Sequence, residues 1–237
     1  MPSHGLHRAQ DKAVLEMFQR IALRYDAFNT VATLGRDGIW RRITADLATS
    51  TGVETALDVA TGTGKLALEL ARHADRVTAF DFADRMVKVA HRRFQGVDNQ
   101  RIAVLMGDAM AMPFRDNGFD CATIGFGLRN VSDLQGCLKE FLRVLRPGGR
   151  LVVLEISRPA GGIQRFAYET VFKRLLPFVG WAFSGDRNAY RYLPDSVDTF
   201  PSPTGLADAM FDVGFVHVEY RTLHFQTITL HVGVKTG

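Results

Sequence analysis

Leu57-Asp58-Val59-Ala60-Thr61-Gly62-Thr63-Gly64-Lys65-Leu66-Ala67 is the stretch on which the fold turns. The run from Thr55 to Ala60 reads as a short buried strand, and Gly64 to His73 spaces its apolar side chains as a helix does. Glycines at such a strand-to-helix turn remove Cβ atoms, so a ligand can lie against the backbone, and the helix start offers N–H groups that have no partner inside the helix. Gly62-x-Gly64-x-x-Ala67 also satisfies the dinucleotide fingerprint, so a nicotinamide dehydrogenase is one reading.

The same alternation continues outward. Arg76–Phe80, Ile102–Met106, Phe119–Ile124 and Arg150–Ile156 read as strands, with helices at Ala83–Phe94 and Asp133–Leu145. Strands alternating with helices predict right-handed crossovers and a doubly wound, mostly parallel sheet of the α/β class, covered on both faces. Upstream, residues 11–25 and Asp37–Ala48 have helical spacing. Downstream, Thr204–Val213 reads as a helix opening at a Thr cap, and Phe215–Leu223 and Phe225–Val234 as two closing strands with a tight turn near His224, giving the sheet an antiparallel end. Between Pro159 and Pro203 the rhythm breaks into a dense aromatic cluster. The expected organisation is one domain: a helical cap over residues 1–50, a core over 51–158, an aromatic insert over 159–203 that forms a lid, and a closing unit over 204–237.

Composition narrows the function. The 237 residues are 46% hydrophobic and 23% charged, which excludes a disordered or collagen-like chain. The net charge of +4 comes from basic residues scattered in small groups, unlike the continuous stripe of a nucleic-acid binder. Cys121 and Cys137 have neither metal-ligand spacing nor histidine companions, so neither a metal nor a disulfide is expected. The first ten residues carry no apolar core of a leader and no window is long enough to span a bilayer, so the expected location is cytoplasmic. The 17 phenylalanines stand out and are expected to concentrate in the cap and lid.

Three acids discriminate between ligands. Asp58 sits beside the glycine loop, where it would repel a pyrophosphate and attract an ammonium group. Asp81 closes the second strand, where a carboxylate can accept both ribose hydroxyls, and Gly107-Asp108-Ala109 follows the third. This order resembles the class I S-adenosylmethionine-dependent methyltransferases, with their Rossmann-like seven-stranded sheet. The resemblance implies a cofactor set of Asp58, Ala60, Thr61, Gly62, Thr63, Gly64, Asp81, Asp108, Ala109 and Gly125, with Phe82 and Met86 as apolar neighbours of adenine.

Longer segments resemble a narrower group. Arg143-Val144-Leu145-Arg146-Pro147-Gly148-Gly149-Arg150-Leu151-Val152-Val153-Leu154-Glu155-Ile156-Ser157 is similar to a signature of the ubiquinone/menaquinone biosynthesis C-methyltransferases, the UbiE-like family. So are Phe126-Gly127-Leu128-Arg129-Asn130-Val131, Met112-Pro113-Phe114 and Tyr190-Arg191-Tyr192-Leu193-Pro194-Asp195-Ser196-Val197; Ile21 to Asn29 with Trp40 matches in part. The resemblance implies methyl transfer from S-adenosyl-L-methionine to a ring carbon of a reduced polyprenyl quinone, either a demethylmenaquinol or a benzoquinol. Arg129 would organise deprotonation, assisted by Tyr25 and Asn130. A guanidinium keeps its proton, so its role would be to stabilise a phenolate while water removes the proton. The chain departs from the family at Phe28, Thr33 and Asp37, which bear on the acceptor ring, and at Thr61, Lys65 and Gly125 around the cofactor. A methyltransferase with another aromatic acceptor and a cofactor-binding scaffold without activity remain alternatives. Apolar residues from Ile163 to Phe178, flanked by Arg165, Lys173 and Arg174, suit either an amphipathic membrane-surface helix or one that faces the core or a second copy.

Overall fold

This computed structural model describes residues 3–95, 101–159, 161–170 and 187–237. Its centre is a seven-stranded sheet made of β1 (Val53–Val59), β2 (Ala74–Asp81), β3 (Ile102–Met106), β4 (Phe119–Gly125), β5 (Leu145–Ile156), β6 (Phe215–Leu223) and β7 (Ile228–Lys235), in the order β3-β2-β1-β4-β5-β7-β6. The first five strands are parallel, and β7 runs against both β5 and β6. Strand order reverses between β1 and β4, which opens a crevice at their carboxyl ends, where open α/β sheets bind ligands.

Side chains from alternate positions serve the two faces. Ala56, Cys121, Val152 and Leu154 pack on one side with Leu66 and Leu70 of α4 (Lys65–Leu70) and Trp40 of α3 (Asp37–Ala48). Leu57, Ala122, Leu151 and Val153 pack on the other with Leu138 and Phe141 of α6 (Leu134–Val144) and Met210 of α9 (Pro203–Asp212). Both faces are therefore covered, which explains why the central strands read as nearly continuous apolar runs.

Before the sheet come α1 (Ser3–Ile21), α2 (Tyr25–Ala32) and α3; α5 (Asp84–Gln95) follows β2, and α7 (Gly162–Thr170) and α8 (Arg187–Thr199) lie between β5 and α9. The helix expected over 11–25 is in fact two, broken after Ile21. The apolar period conceals the break because Ile21 of α1 and Phe28 of α2 enter the same cluster. Strand β5 begins at Leu145 rather than Arg150: Leu145 pairs with Phe119 and Arg150 with Cys121, so Pro147-Gly148-Gly149 is a bulge within the strand. Helix α9 is capped by Ser202, not Thr204, the Gly205 N–H donating to Ser202 Oγ at 3.1 Å, with Pro203 as the first helical residue. Strand β7 begins at Ile228 because His224, Phe225 and Gln226 are all left-handed (φ 46°, 55° and 65°), a conformation no strand can continue.

The phenylalanines are not concentrated in the cap. Phe80, Phe141 and Phe215 are among the largest fully buried side chains of the sheet core, Phe119 is buried in the same cluster and Phe94 in the cluster on the other face, and Phe114 stacks edge-on with Phe80 and Phe119 at 5.2 Å. Of the insert, Phe172, Phe178, Trp181 and Phe183 lie outside the described residues.

Candidate active site

At the switch point a crevice of about 160 Å³ extends from the carboxyl ends of β1, β2 and β4 to the underside of α1 and α2. One end is walled by Ala60, Gly62, Asp81, Phe82, Met86, Asp108, Ala109 and Gly125, the other by Phe18, Tyr25, Phe126, Asn130 and Val131. Ten of the residues implied by the resemblance therefore share one space. Asp58, Thr61, Thr63, Gly64 and Arg129 do not line it.

Asp58 lies beneath the loop, where it accepts Thr61 Oγ1 at 2.6 Å and Thr123 Oγ1 at 2.8 Å. Burial raises its pKa to about 6 against the pull of those two hydroxyls. It acts on the ligand space through Thr61 and the loop rather than by contact. Asp81 is at the crevice wall: Oδ2 accepts the Gly62 N–H at 2.8 Å and Oδ1 the Ala83 N–H at 2.9 Å. Burial again raises its pKa to about 6, although backbone donors favour the ionised form. Each of its oxygens retains acceptor capacity toward the crevice.

Gly62 has left-handed backbone, with φ 57°. A Cβ on it would meet nothing within 4 Å, and the residue borders the crevice, so its bare backbone is open to a ligand. An apolar pair, Phe82 and Met86, beside an acceptor pair suits a nucleoside. Thr63 is turned away: its hydroxyl donates to Asp26 of α2 at 2.7 Å, and Arg93 of α5 donates to the Thr63 carbonyl at 2.8 Å and ion-pairs with Asp26. The loop is thereby clasped to the cap.

Arg129 follows β4 in a single 3₁₀ turn and has a side chain only 6% exposed. Its Nη1 donates to Glu155 Oε1 at 2.7 Å and to the Phe126 carbonyl, and its backbone N–H donates to Glu155 Oε2 at 3.2 Å. Burial opposes its charge, but Glu155, with Tyr25 and Tyr192 nearby, outweighs burial and holds the proton more firmly than usual. Its Nε and Asn130 Oδ1 are buried and find no partner among the described residues. Glu155, at the end of β5, was not singled out by sequence, though it lies within the Arg143–Ser157 segment; Gly107, Gly127 and Phe126 also join the wall.

Three of the departures share one location. Lys65 pairs with Asp37 at 3.3 Å, Arg41 pairs with the same carboxylate, and Thr33 Oγ1 bonds to it at 3.3 Å. Thr33, Asp37 and Lys65 therefore form one cluster behind the loop and do not line the crevice, and Phe28 is buried between helices. Of α7, Phe166 is exposed, Tyr168 is buried and Arg165 pairs with Glu169; residues 171–178 lie outside the described part.

A seven-stranded sheet with one reversed strand, and a crevice of glycines and acids at its switch point, define a class I methyltransferase. A SAM-dependent methyltransferase of Thermotoga maritima has the same fold, with a TM-score of 0.62 at 19% identity over 93% of this chain and 99% of that one. The chain belongs to the ubiE/COQ5 methyltransferase family, whose profile matches residues 6–235. It is 45% identical to a demethylmenaquinone methyltransferase of Thermus thermophilus over 219 residues, covering 92% of this chain and 99% of the relative. It is 36% identical over 229 residues to a Pseudomonas putida protein named ubiquinone/menaquinone biosynthesis C-methyltransferase UbiE, covering 94% and 89%.

Proposed function

We propose that the enzyme methylates a ring carbon of a reduced polyprenyl quinone, demethylmenaquinol being the acceptor favoured by the similarity to the Thermus thermophilus enzyme. The observation that carries the reading is the single crevice, which joins a nucleoside-shaped end around Asp81 and Gly62 to a drier end around Phe18, Tyr25, Phe126 and Asn130.

S-adenosylmethionine, when bound, supplies an electrophilic methyl group on a cationic sulfonium. Ala60, Gly62, Asp81, Phe82, Met86, Asp108, Ala109 and Gly125 would hold it, and Asp58, Thr61, Thr63 and Gly64 would fix the loop behind it. The acceptor carbon needs electron density, which an adjacent phenolate provides. A phenol of ordinary pKa near 10 requires help to ionise at neutral pH. Tyr25 and Asn130 orient the ring, the orphan Asn130 Oδ1 accepting from a quinol hydroxyl. The Arg129 guanidinium, close to Tyr25, supplies positive potential for the developing oxyanion while water carries the proton away. Apolar walls exclude bulk water and strengthen that potential.

Such an acceptor resides in a lipid phase, so we place the enzyme in the cytoplasm, working peripherally at the inner face of the membrane. Incubation with isotopically labelled S-adenosylmethionine and short-chain naphthoquinol or benzoquinol analogues, read by mass spectrometry, tests the reading. Labelled methyl on the naphthoquinol ring is the expected outcome; transfer to neither ring overturns it.

A further inference from the structure

α2 is apolar on two sides. Its inner stripe, Tyr25, Phe28 and Ala32, packs against Met17, Phe18 and Ile21 of α1 and Tyr192 of α8. On the outer side Leu23, in the turn before the helix, and Ala27 and Val31 of α2 are exposed at i, i+4, i+8 spacing and lead to Leu34, which is 85% exposed. Apolar side chains clustered on a solvent-facing surface mark an interaction site. Here the outer face has no protein cover among the described residues.

The patch continues across the chain. The β6–β7 turn presents Phe225 at 70% exposure, and Ile39 of α3 is exposed beside Arg36. The turns carrying Leu34 and Phe225 are tied together, because an Arg36 Nη1 lies 3.1 Å from His224 Nδ1 and the Trp40 ring packs against His224 at 5.5 Å. Both tips sit on left-handed, non-glycine backbone, Leu34 with φ 51° and Phe225 with φ 55°. The β6–β7 turn is further pinned by Thr227 Oγ1 donating to the His224 carbonyl at 2.7 Å and Ser157 Oγ to the Gln226 carbonyl at 2.9 Å. These apolar tips are thus held rigidly outward.

Charge selects the occupant. From Met17 to Ala45 the carboxylates are Asp26 and Asp37, and both are consumed in ion pairs, with Arg93 and Lys65 and with Arg41 and Lys65 respectively. Next to the exposed apolar tips stand Arg24, beside Leu23, and Arg36, between Leu34 and Ile39; Arg20 and Arg42 are exposed on the flanking helices, as are Glu16 and Asp46. A second copy meeting this face by two-fold symmetry would set arginines against arginines. An anionic bilayer offers apolar depth for the tips and phosphate for the guanidiniums. Because β6 runs parallel to β5, its turn lies at the carboxyl edge of the sheet, the edge where the crevice opens, and Phe126 of the crevice wall touches Trp40 at 6.4 Å.

We propose that the outer face of α2, with the Leu34 and Phe225 turns and the surrounding arginines, is a docking surface for an anionic lipid bilayer. It holds the crevice mouth toward the membrane. This goes beyond the acceptor assignment and stands whichever ring is methylated.

Sedimentation of the full chain with vesicles of phosphatidylcholine, with and without phosphatidylglycerol and without any quinone, tests it. The wild type should partition onto the anionic vesicles and weaken with salt. Leu34→Asn with Phe225→Asn keeps residues that tolerate left-handed backbone, and should lower partition about tenfold by removing two inserted side chains. Arg24→Gln with Arg36→Gln should lower it about tenfold on anionic vesicles and leave neutral ones unchanged. S-adenosylhomocysteine affinity and methylation of a soluble short-chain quinol should be unaltered in both. No binding by the wild type, equal binding by the variants, or a dimer that the variants convert to monomer would each overturn the proposal.

Discussion

At the residue scale the site rests on buried charge. Arg129 and Glu155 have side chains 6% and 2% exposed. Breaking such a pair by deleting one member leaves an uncompensated charge, at about 3–5 kcal/mol. Glu155→Ala should therefore lower the urea midpoint sharply. Glu155→Gln spares volume and leaves Arg129 with less neutralisation, so a pH profile and a kcat/KM split read its positioning role. Arg129→Ala combined with Glu155→Gln avoids the orphaned carboxylate; kcat for methyl transfer should fall about 100-fold with S-adenosylhomocysteine affinity within twofold, as expected when a donor to a developing oxyanion is lost. Near-normal turnover would remove Arg129 from the reaction. Asp58 and Asp81 both titrate at about 6, above their ordinary 3.8. The folded state holds these protons more tightly than the unfolded chain. Their contribution to stability is thus largest below 3.8 and is lost as pH rises through 6. Unfolding of the unliganded protein should show stability rising from pH 7 toward 5. Affinity for S-adenosylhomocysteine should move the opposite way, falling below pH 6 as Asp81 loses acceptor capacity. Affinity independent of pH across that range would remove Asp81 from ribose binding. Asp81 was legible in sequence because a strand end is local, and Glu155 was not, because its role depends on β4 and β5 being neighbours.

At the scale of elements, the glycine loop is held from three directions. Gly64 has φ 83°, and a Cβ there would come within 2.4 Å of the Phe94 ring of α5. Gly64→Ala should cost about 1–3 kcal/mol through strain and overpacking, read by thermal unfolding. The pattern Gly-x-Gly revealed the need for glycine but not its reason, since Phe94 is distant in sequence. The Asp26–Thr63–Arg93 clasp was likewise invisible: Asp26 and Arg93 are 67 positions apart. Local periodicity located Asp37–Ala48 to the residue, yet merged α1 with α2, because both helices supply the same buried cluster. The Thr33–Asp37–Lys65 group shows the converse. Three departures from the family pattern that are scattered in sequence converge on one carboxylate, Asp37 pairing with Lys65 and accepting from the Thr33 hydroxyl, and none of the three lines the crevice.

At the scale of the whole molecule, α2 is joined to the loop and to α5 through the side chain of Asp26 and otherwise packs through its apolar inner stripe. The alternation of strands and helices predicted the parallel sheet and its reversed end, since those follow from local pattern and connection rules. The placing of the cap depends on contacts made only after folding: Ala22 against Ala83 and Met86, and Asp26 against Thr63 and Arg93. Elements joined by few contacts open with less free energy than the core, so α2 should exchange its amides faster than β1, β4 and β5. Tyr25, the first residue of α2, lines the crevice, and Asp26, the next, grips the loop that borders the ligand space. A ligand that orders the loop should therefore also steady α2 through Asp26. Addition of S-adenosylhomocysteine should slow hydrogen exchange across residues 25–32. In Asp26→Asn, which weakens the ion pair with Arg93 and keeps the side chain's size, the slowing should be smaller, while protection of β1 should rise as in the wild type. Equal slowing of α2 in both proteins would show that ligand and cap communicate by direct contact alone. Lost slowing in the variant would identify the clasp as the link by which filling the nucleoside end closes the acceptor end.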